Sequence, residues 1–316
     1  MKNLFSLLLC LILYGLAFVV PHSGDNQVWV PLVAGLVEED FLASGGVWSI
    51  LSAFFSALLL SYGTFCLLDK ERYFRSYALT GALVTFALIM TDPKSILFNQ
   101  LYPVVMLNYA AGCYFLKRKY MNAFMLLSCS SLFYIPVVWV LPICLYILFL
   151  DTTDTLRNFA KAIAGILLPY IYIVSLRFIL FGDALLFLEA NWQELNNFGG
   201  GFYRLPIPSL FFILCLLATA LYAMWALLSR LSSMETEQAK VVRFVALDLI
   251  LGVAITLLYI SKNGLPATIL FSISFGSMLA MCGAVLKSNQ KYLFRVLLLF
   301  LVIAAVLMRS AHFVSA

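Results

Sequence analysis

The sequence predicts an all-α fold: a polytopic transmembrane helical bundle of about eleven helices. Three observations predict it. Apolar residues make up 64% of the 316 and charged residues only 11%, with a mean hydropathy of +1.01. A soluble domain carries about 25% charged residues, so this chain cannot cover a water-facing surface. Apolar runs about as long as a membrane span, roughly 20 residues, also recur from one end to the other. Finally, the charged residues fall almost entirely between those runs. The whole chain, 1–316, reads as a single integral membrane domain.

The first run, 4–20, follows Lys2 and ends before Pro21. No small-x-small cleavage site directly follows it, so a retained first helix is expected rather than a signal peptide. Runs over 47–68, 77–90 and 95–116 come next, the last two joined by the tight turn Thr91-Asp92-Pro93-Lys94. The fifth run, 121–150, is too long for one ordinary span at about 1.5 Å of rise per residue. At its centre, Ser131-Leu132-Phe133-Tyr134-Ile135-Pro136 holds a proline. Proline removes a backbone donor and disfavours helix at the residue before it. The run is therefore either one kinked helix, giving ten in all, or two helices folded back at Tyr134–Pro136, giving eleven. Five further runs cover 162–180, 208–228, 244–260, 266–286 and 292–308.

Charge parity selects between the two. With a reversal at Tyr134–Pro136 and a cytoplasmic N-terminus, fifteen Lys and Arg lie inside and four outside. Without the reversal the split is ten to nine. Cytoplasmic loops of membrane proteins carry the excess of Lys and Arg. Eleven helices are expected, with the N-terminus inside and the C-terminus outside.

Two outer loops are long. The loop 21–46 has no Lys or Arg and carries Asp25, Glu38, Glu39 and Asp40. In the second, 181–207, Leu185, Leu188, Trp192 and Leu195 fall on one helical face, with Glu189, Gln193 and Asn196 opposite. Asp183 is a reasonable N-cap, and Gly199-Gly200-Gly201 ends the pattern. An interfacial amphipathic helix over about 183–198 is expected, with Trp192 at headgroup level.

Motif chemistry is sparse. The chain has no phosphate-binding G-x-x-x-x-G-K, no dinucleotide glycine fingerprint, no H-E-x-x-H and no G-x-S-x-G. The seven cysteines sit inside apolar runs without C-x-x-C spacing and read as small buried hydrophobes. No cofactor and no metal are expected. Ionisable residues at membrane depth are costly and usually paired or functional. Arg177, late in the sixth run, suits a phosphate, which a guanidinium grips in a bidentate way. Asp92 and Arg204 are outer-face candidates for the same binding site. Asp25, Glu38, Glu39 and Asp40 are the candidate catalytic carboxylates. Asp248 reads as lying near the cytoplasmic end of the eighth run, paired with Arg243 or Lys240.

The segment 108–178 reads NYAAGCYFL, a basic turn, SLFYIPVVWVLP, and then LRNFAKAIAGILLPY. This order resembles an uncharacterised family of bacterial inner-membrane proteins of similar length, a domain of unknown function. The resemblance implies class and location, not mechanism. More loosely, the layout is similar to multi-spanning glycosyltransferases and polymerases that use polyprenyl-phosphate sugars. There the catalytic acid follows the first helix, which implies Asp25 or the Glu38–Asp40 group here. This chain departs from them in its smaller size and its lack of a large outer domain.

The resulting expectation is an inner-membrane envelope protein with an outward-facing cavity for a lipid-linked or glycan substrate. A lipid or small-solute carrier is the alternative, and an accessory subunit of an envelope complex is a third reading. Expected partners are membrane lipids, a polyprenyl-phosphate-linked substrate and envelope-complex proteins, but not nucleic acid.

Overall fold

The computed structural model describes residues 47–69, 74–89, 101–151, 155–182, 189, 192, 195, 207–258, 265–286 and 288–315. The first run and the outer loop 21–46 lie outside these residues. All regular structure among the described residues is helical, and no strand occurs. Among the described residues, six helices are long and apolar enough to cross a membrane. The chain divides into two compact units.

In the unit built on Gln100–Gly199, four helices have described bounds. They are α3 (Leu101–Leu116), α4 (Tyr120–Phe133), α5 (Val140–Asp151) and α6 (Thr155–Phe181). Helices α3 and α4 form an antiparallel pair. The ring of Phe115 meets Tyr120 and Phe124 near the turn, and Ser130 Oγ donates to the Val104 carbonyl at the far end. The turn is closed by Arg118 in the left-handed region, φ 57°. The Arg118 N–H donates to the Phe115 carbonyl and the Lys119 N–H to the Tyr114 carbonyl. This pair of bonds is the usual glycine-dependent way to end a helix, here made by an arginine.

The apolar run 121–150 breaks at Tyr134, whose backbone is extended (φ −146°, ψ 100°) ahead of a 3₁₀ stretch, Ile135–Trp139. Contacts between α4 and α6 fix the direction of the chain beyond the break. A Cβ on Gly165 would touch the Met121 carbonyl and Met125 N. Further along α4, Ser131 meets Tyr170, and Leu132 packs on Tyr170, Ile173 and Val174. Helices α4 and α6 therefore run parallel, and the chain between them must return. The 5-residue 3₁₀ stretch and 12-residue α5 supply about 28 Å of return at 2.0 and 1.5 Å per residue. The run is two antiparallel segments, with Pro136 just inside the second. As a consequence, Lys117–Lys119 share one end of this unit with Arg157 and Lys161, while Arg177 lies at the other.

Glu189, Trp192 and Leu195 are helical, with Leu195 buried and Glu189 and Trp192 exposed. The remainder of the expected amphipathic helix lies outside the described residues.

The other unit contains α1 (Val47–Asp69), α2 (Ala78–Ile89), α7 (Ile207–Leu228), α8 (Thr236–Leu258), α9 (Ser272–Val285) and α10 (Ser288–Ser315). Helix α9 is its axis. In the candidate span Thr268–Val285, 89% of the segment is enclosed, against 17% for the span Leu156–Ile179 in the other unit. A helix that is apolar all round belongs inside others, and one whose exposed residues are Ile171, Tyr172 and Phe178 belongs against lipid. Small residues allow the enclosure: Gly81 of α2 faces Gly276 and Ala280 of α9. Such pairs let backbones approach closely where lipid removes the hydrophobic drive between helices. Helices α2 and α8 both run antiparallel to α9, since Tyr77 lies by Gly283 and Thr85 by Ser272, while Asp248 meets Ser274 and Gly252 meets Phe271. Arg230 closes the C-terminus of α9, donating to the Val285 carbonyl and, at 2.9 Å, to the Gln290 side chain. That arrangement satisfies an orphan carbonyl and opposes the helix dipole. Arg75, Arg230, Lys240, Arg243, Lys291 and Arg295 consequently gather at one end of this unit.

A carboxylate on a hydroxyl-lined core helix: the candidate functional site

The local sequence decides where Asp248 stands. Helix α8 does not begin at the apolar run. It begins at Thr236, where the Glu235 carbonyl accepts the Ala239 N–H at 2.9 Å. Glu237, Lys240 and Arg243 occupy its first turns, so the span is Gln238–Leu258 and Asp248 is its middle residue. This corrects the expectation that put Asp248 near the basic end. Its partner is also different: the Ser274 hydroxyl donates to Asp248 Oδ2. Arg243 and Lys240, the partners suggested by sequence, are both exposed.

Ser274 lies in the first turn of α9, directly after a 3₁₀ stretch, Leu265–Phe271. The span Thr268–Val285 is thus discontinuous in its hydrogen bonding, and the carboxylate meets it next to the change. Side chains compensate for the backbone there. Ser272 Oγ donates to the Ile269 carbonyl at 2.8 Å. Thr85 Oγ1 lies 3.3 Å from the Ser272 carbonyl, 3.0 Å from the Gly81 carbonyl and 2.9 Å from Thr64 Oγ1. Its proton goes to one of the two carbonyls or to Thr64, and between the two threonines either hydroxyl can be the donor. Changes of helix type at membrane depth occur where neighbours re-satisfy the freed carbonyls.

Two hydroxyls on the same segment are different. Thr268 Oγ1 and Ser277 Oγ are buried and find no hydrogen-bond partner among the described residues. Thr256 and Ser61, by contrast, donate to their own helices four residues back, at 2.8 and 2.7 Å. Buried polar groups are normally paired, so an orphan calls for a function or an unseen partner.

Among the sequence-predicted site residues, Arg177 alone is described. It is half-buried near the end of α6. Asp25, Glu38, Glu39, Asp40, Asp92 and Arg204 lie outside the described residues. Among the described residues, no three His, Cys, Asp or Glu side chains are grouped to hold a metal. Comparison with protein-family models, curated proteins and solved structures finds no match.

The other unit has its own buried polar set. Ser131 Oγ and Tyr170 Oη are 2.5 Å apart, and Asn108 Oδ1 and Ser128 Oγ are buried without partners among the described residues. Every member is neutral. Sequence reading singled out Asp248 but passed over the hydroxyls of both sets, because serine and threonine inside apolar runs barely change hydropathy. The usable signal for Asp248 was the polar stretch ahead of it, which moves the start of the span back towards Thr236.

Proposed function

We propose that this chain is a carrier of the bacterial inner membrane that moves a lipid or small solute, with the Asp248 region of α8 and α9 on its path. The observation that carries the reading is a carboxylate at the middle of a span, held against a discontinuous, enclosed helix. Ionisable groups at that depth mark substrate and ion pathways. Interrupted spans form the binding sites of many carriers because they free backbone groups at membrane depth. The clustering of basic residues at one end of each unit supports a cytoplasmic N-terminus and an outer C-terminus.

Access tests this reading. A carrier must expose its central site to each side in turn. A Ser277→Cys variant in a cysteine-free background should react with impermeant thiol reagents in both right-side-out and inverted vesicles. Reaction from one side only would remove the carrier reading.

A second reading keeps the lipid-linked or glycan substrate and makes the protein an enzyme at the outer face. Arg177 supports it, standing at the opposite end of its unit from the basic turn. In that scheme Arg177 binds the phosphate, and a carboxylate of the loop 21–46 acts as base. Full complementation of a deletion strain by Arg177→Ala and by the alanine set of that loop's acids would end it.

A further inference from the structure

The carboxylate of Asp248 is placed where an uncompensated charge is hardest to keep. Among the described residues, the segments that pack most closely on α8 are α7, α9, Leu265–Phe271 and Leu231–Ser233. Their titratable groups are Cys215 and Tyr222 on α7 and Cys282 on α9. Neither α7 nor the stretch 265–286 contains a charged residue. The cations of the neighbourhood, Arg230, Lys240 and Arg243, sit at the basic end, and Arg230 is committed to Val285 and Gln290. The partner at hand for Asp248 is the neutral hydroxyl of Ser274. A charge held at membrane depth costs several kcal/mol unless it is cancelled. A metal cation would need several further oxygen ligands, whereas a proton needs no added volume and no further ligand.

Resting on the carrier reading, the geometry points to Asp248 as a proton-binding site of the transport cycle, its carboxyl taking up and giving back one proton while Ser274 holds it in place. The two orphan hydroxyls fit this assignment. Thr268 and Ser277 stand on either side of Ser274 along the same enclosed segment. A hydroxyl can accept and donate at once, so each can pass a proton or hold a water that does. The exchange is balanced: a carboxylate and one proton become a carboxylic acid, with no redox change.

A fluorescent carbodiimide couples to a protonated carboxyl and not to a carboxylate. Full-length protein in detergent would be treated with it across a pH series, with and without Na⁺, and the labelled peptide identified by mass spectrometry. Label at Asp248 should fall about tenfold for each pH unit above its midpoint, should be unmoved by Na⁺, and should vanish in Asp248→Asn. Infrared difference spectra over the same pH series read the carboxylic C=O band without needing reagent access; the band should be lost in the same variant. Protection by Na⁺ at constant pH would instead assign a metal-cation site and overturn the proton. A C=O band that is absent at every pH, or that never changes, overturns it as well. The carrier reading fails separately, through one-sided access at Ser277→Cys, since neither measurement here requires transport.

Discussion

Both units bury hydroxyls among apolar helices, yet they dispose of them differently. In the unit of α3–α6, Ser131 and Tyr170 pair across two parallel helices at 2.5 Å, and all the chemistry is neutral. In the unit of α1, α2 and α7–α10, the axis helix α9 carries Ser272, Ser274 and Ser277, and one of these holds a carboxylate. The first arrangement is what a membrane helix does to fasten itself. The second keeps a costly group where an apolar residue would pack more cheaply, because buried ionic groups are often neutral or worse for stability than apolar replacements. Fastening therefore explains the neutral set, while the acidic set calls for a function.

Backbone spacing separates the units too, and there the largest effect is expected. In each unit one glycine lies closest to the backbone of a neighbouring helix. A Cβ at Gly276 would overlap Thr85 Oγ1 and lie 2.8 Å from the Gly81 carbonyl. At Gly165 it would lie 2.5 Å from the Met121 carbonyl and 3.1 Å from Met125 N. Both block backbone, which cannot swing aside as a side-chain tip can. Overpacking of this kind costs about 1–3 kcal/mol. Gly276→Ala should sit at the top of that range because α9 is enclosed by its neighbours and cannot shift outward. Gly165→Ala should cost less, since α6 is mostly lipid-facing and can move away. Thermal unfolding in detergent, followed by monodisperse yield, ranks the two; the reverse order would mean that α9 is not the rigid axis.

Next in size is Ser274→Ala. It leaves a buried carboxyl without its donor, a loss of about 1–3 kcal/mol. Asp248→Leu in the same background should recover much of that loss, since it removes the group left unsatisfied. Stability and activity should then part company: the double variant folds well and fails in the cell. If Ser274→Ala alone is stable and fully active, the pairing with Asp248 has no role.

The contrast between units also shows what sequence can reveal. The break at Tyr134 was legible because two independent signals coincide there, a proline inside an over-long run and a charge split that makes sense only with a reversal. The turn at Arg118 was not legible, since the left-handed residue that closes it is an arginine where glycine is usual. The depth of Asp248 was misread for a related reason. Hydropathy starts the eighth run at Phe244, whereas backbone bonding starts the helix at Thr236, among charged and polar residues. The 3₁₀ stretch ahead of α9 has no distinctive composition beyond Pro266, so the discontinuity that makes Ser274 interesting was hidden. Of the site residues singled out from sequence, Arg177 is the one whose position is described, and it stands in the other unit from Asp248.

The smallest effect should come from the neutral pair, and it tests the contrast most directly. Ser131→Ala removes the bond to Tyr170 and the one that Ser131 Oγ donates to the Ser128 carbonyl at 2.7 Å, and leaves Tyr170, which is half-buried and able to turn its hydroxyl towards another acceptor. A neutral bond of this kind contributes about 0.5–1.5 kcal/mol, and Tyr170→Phe, which removes the other partner, should cost a similar amount. The double variant should cost little more than Ser131→Ala alone, because that change already abolishes the bond Tyr170→Phe removes. Activity should be retained in all three if the neutral set is a fastening. Should Ser131→Ala abolish function while the fold stays intact, the working chemistry would have to be assigned to the α3–α6 unit, where Asn108 Oδ1 and Ser128 Oγ are also buried without partners among the described residues.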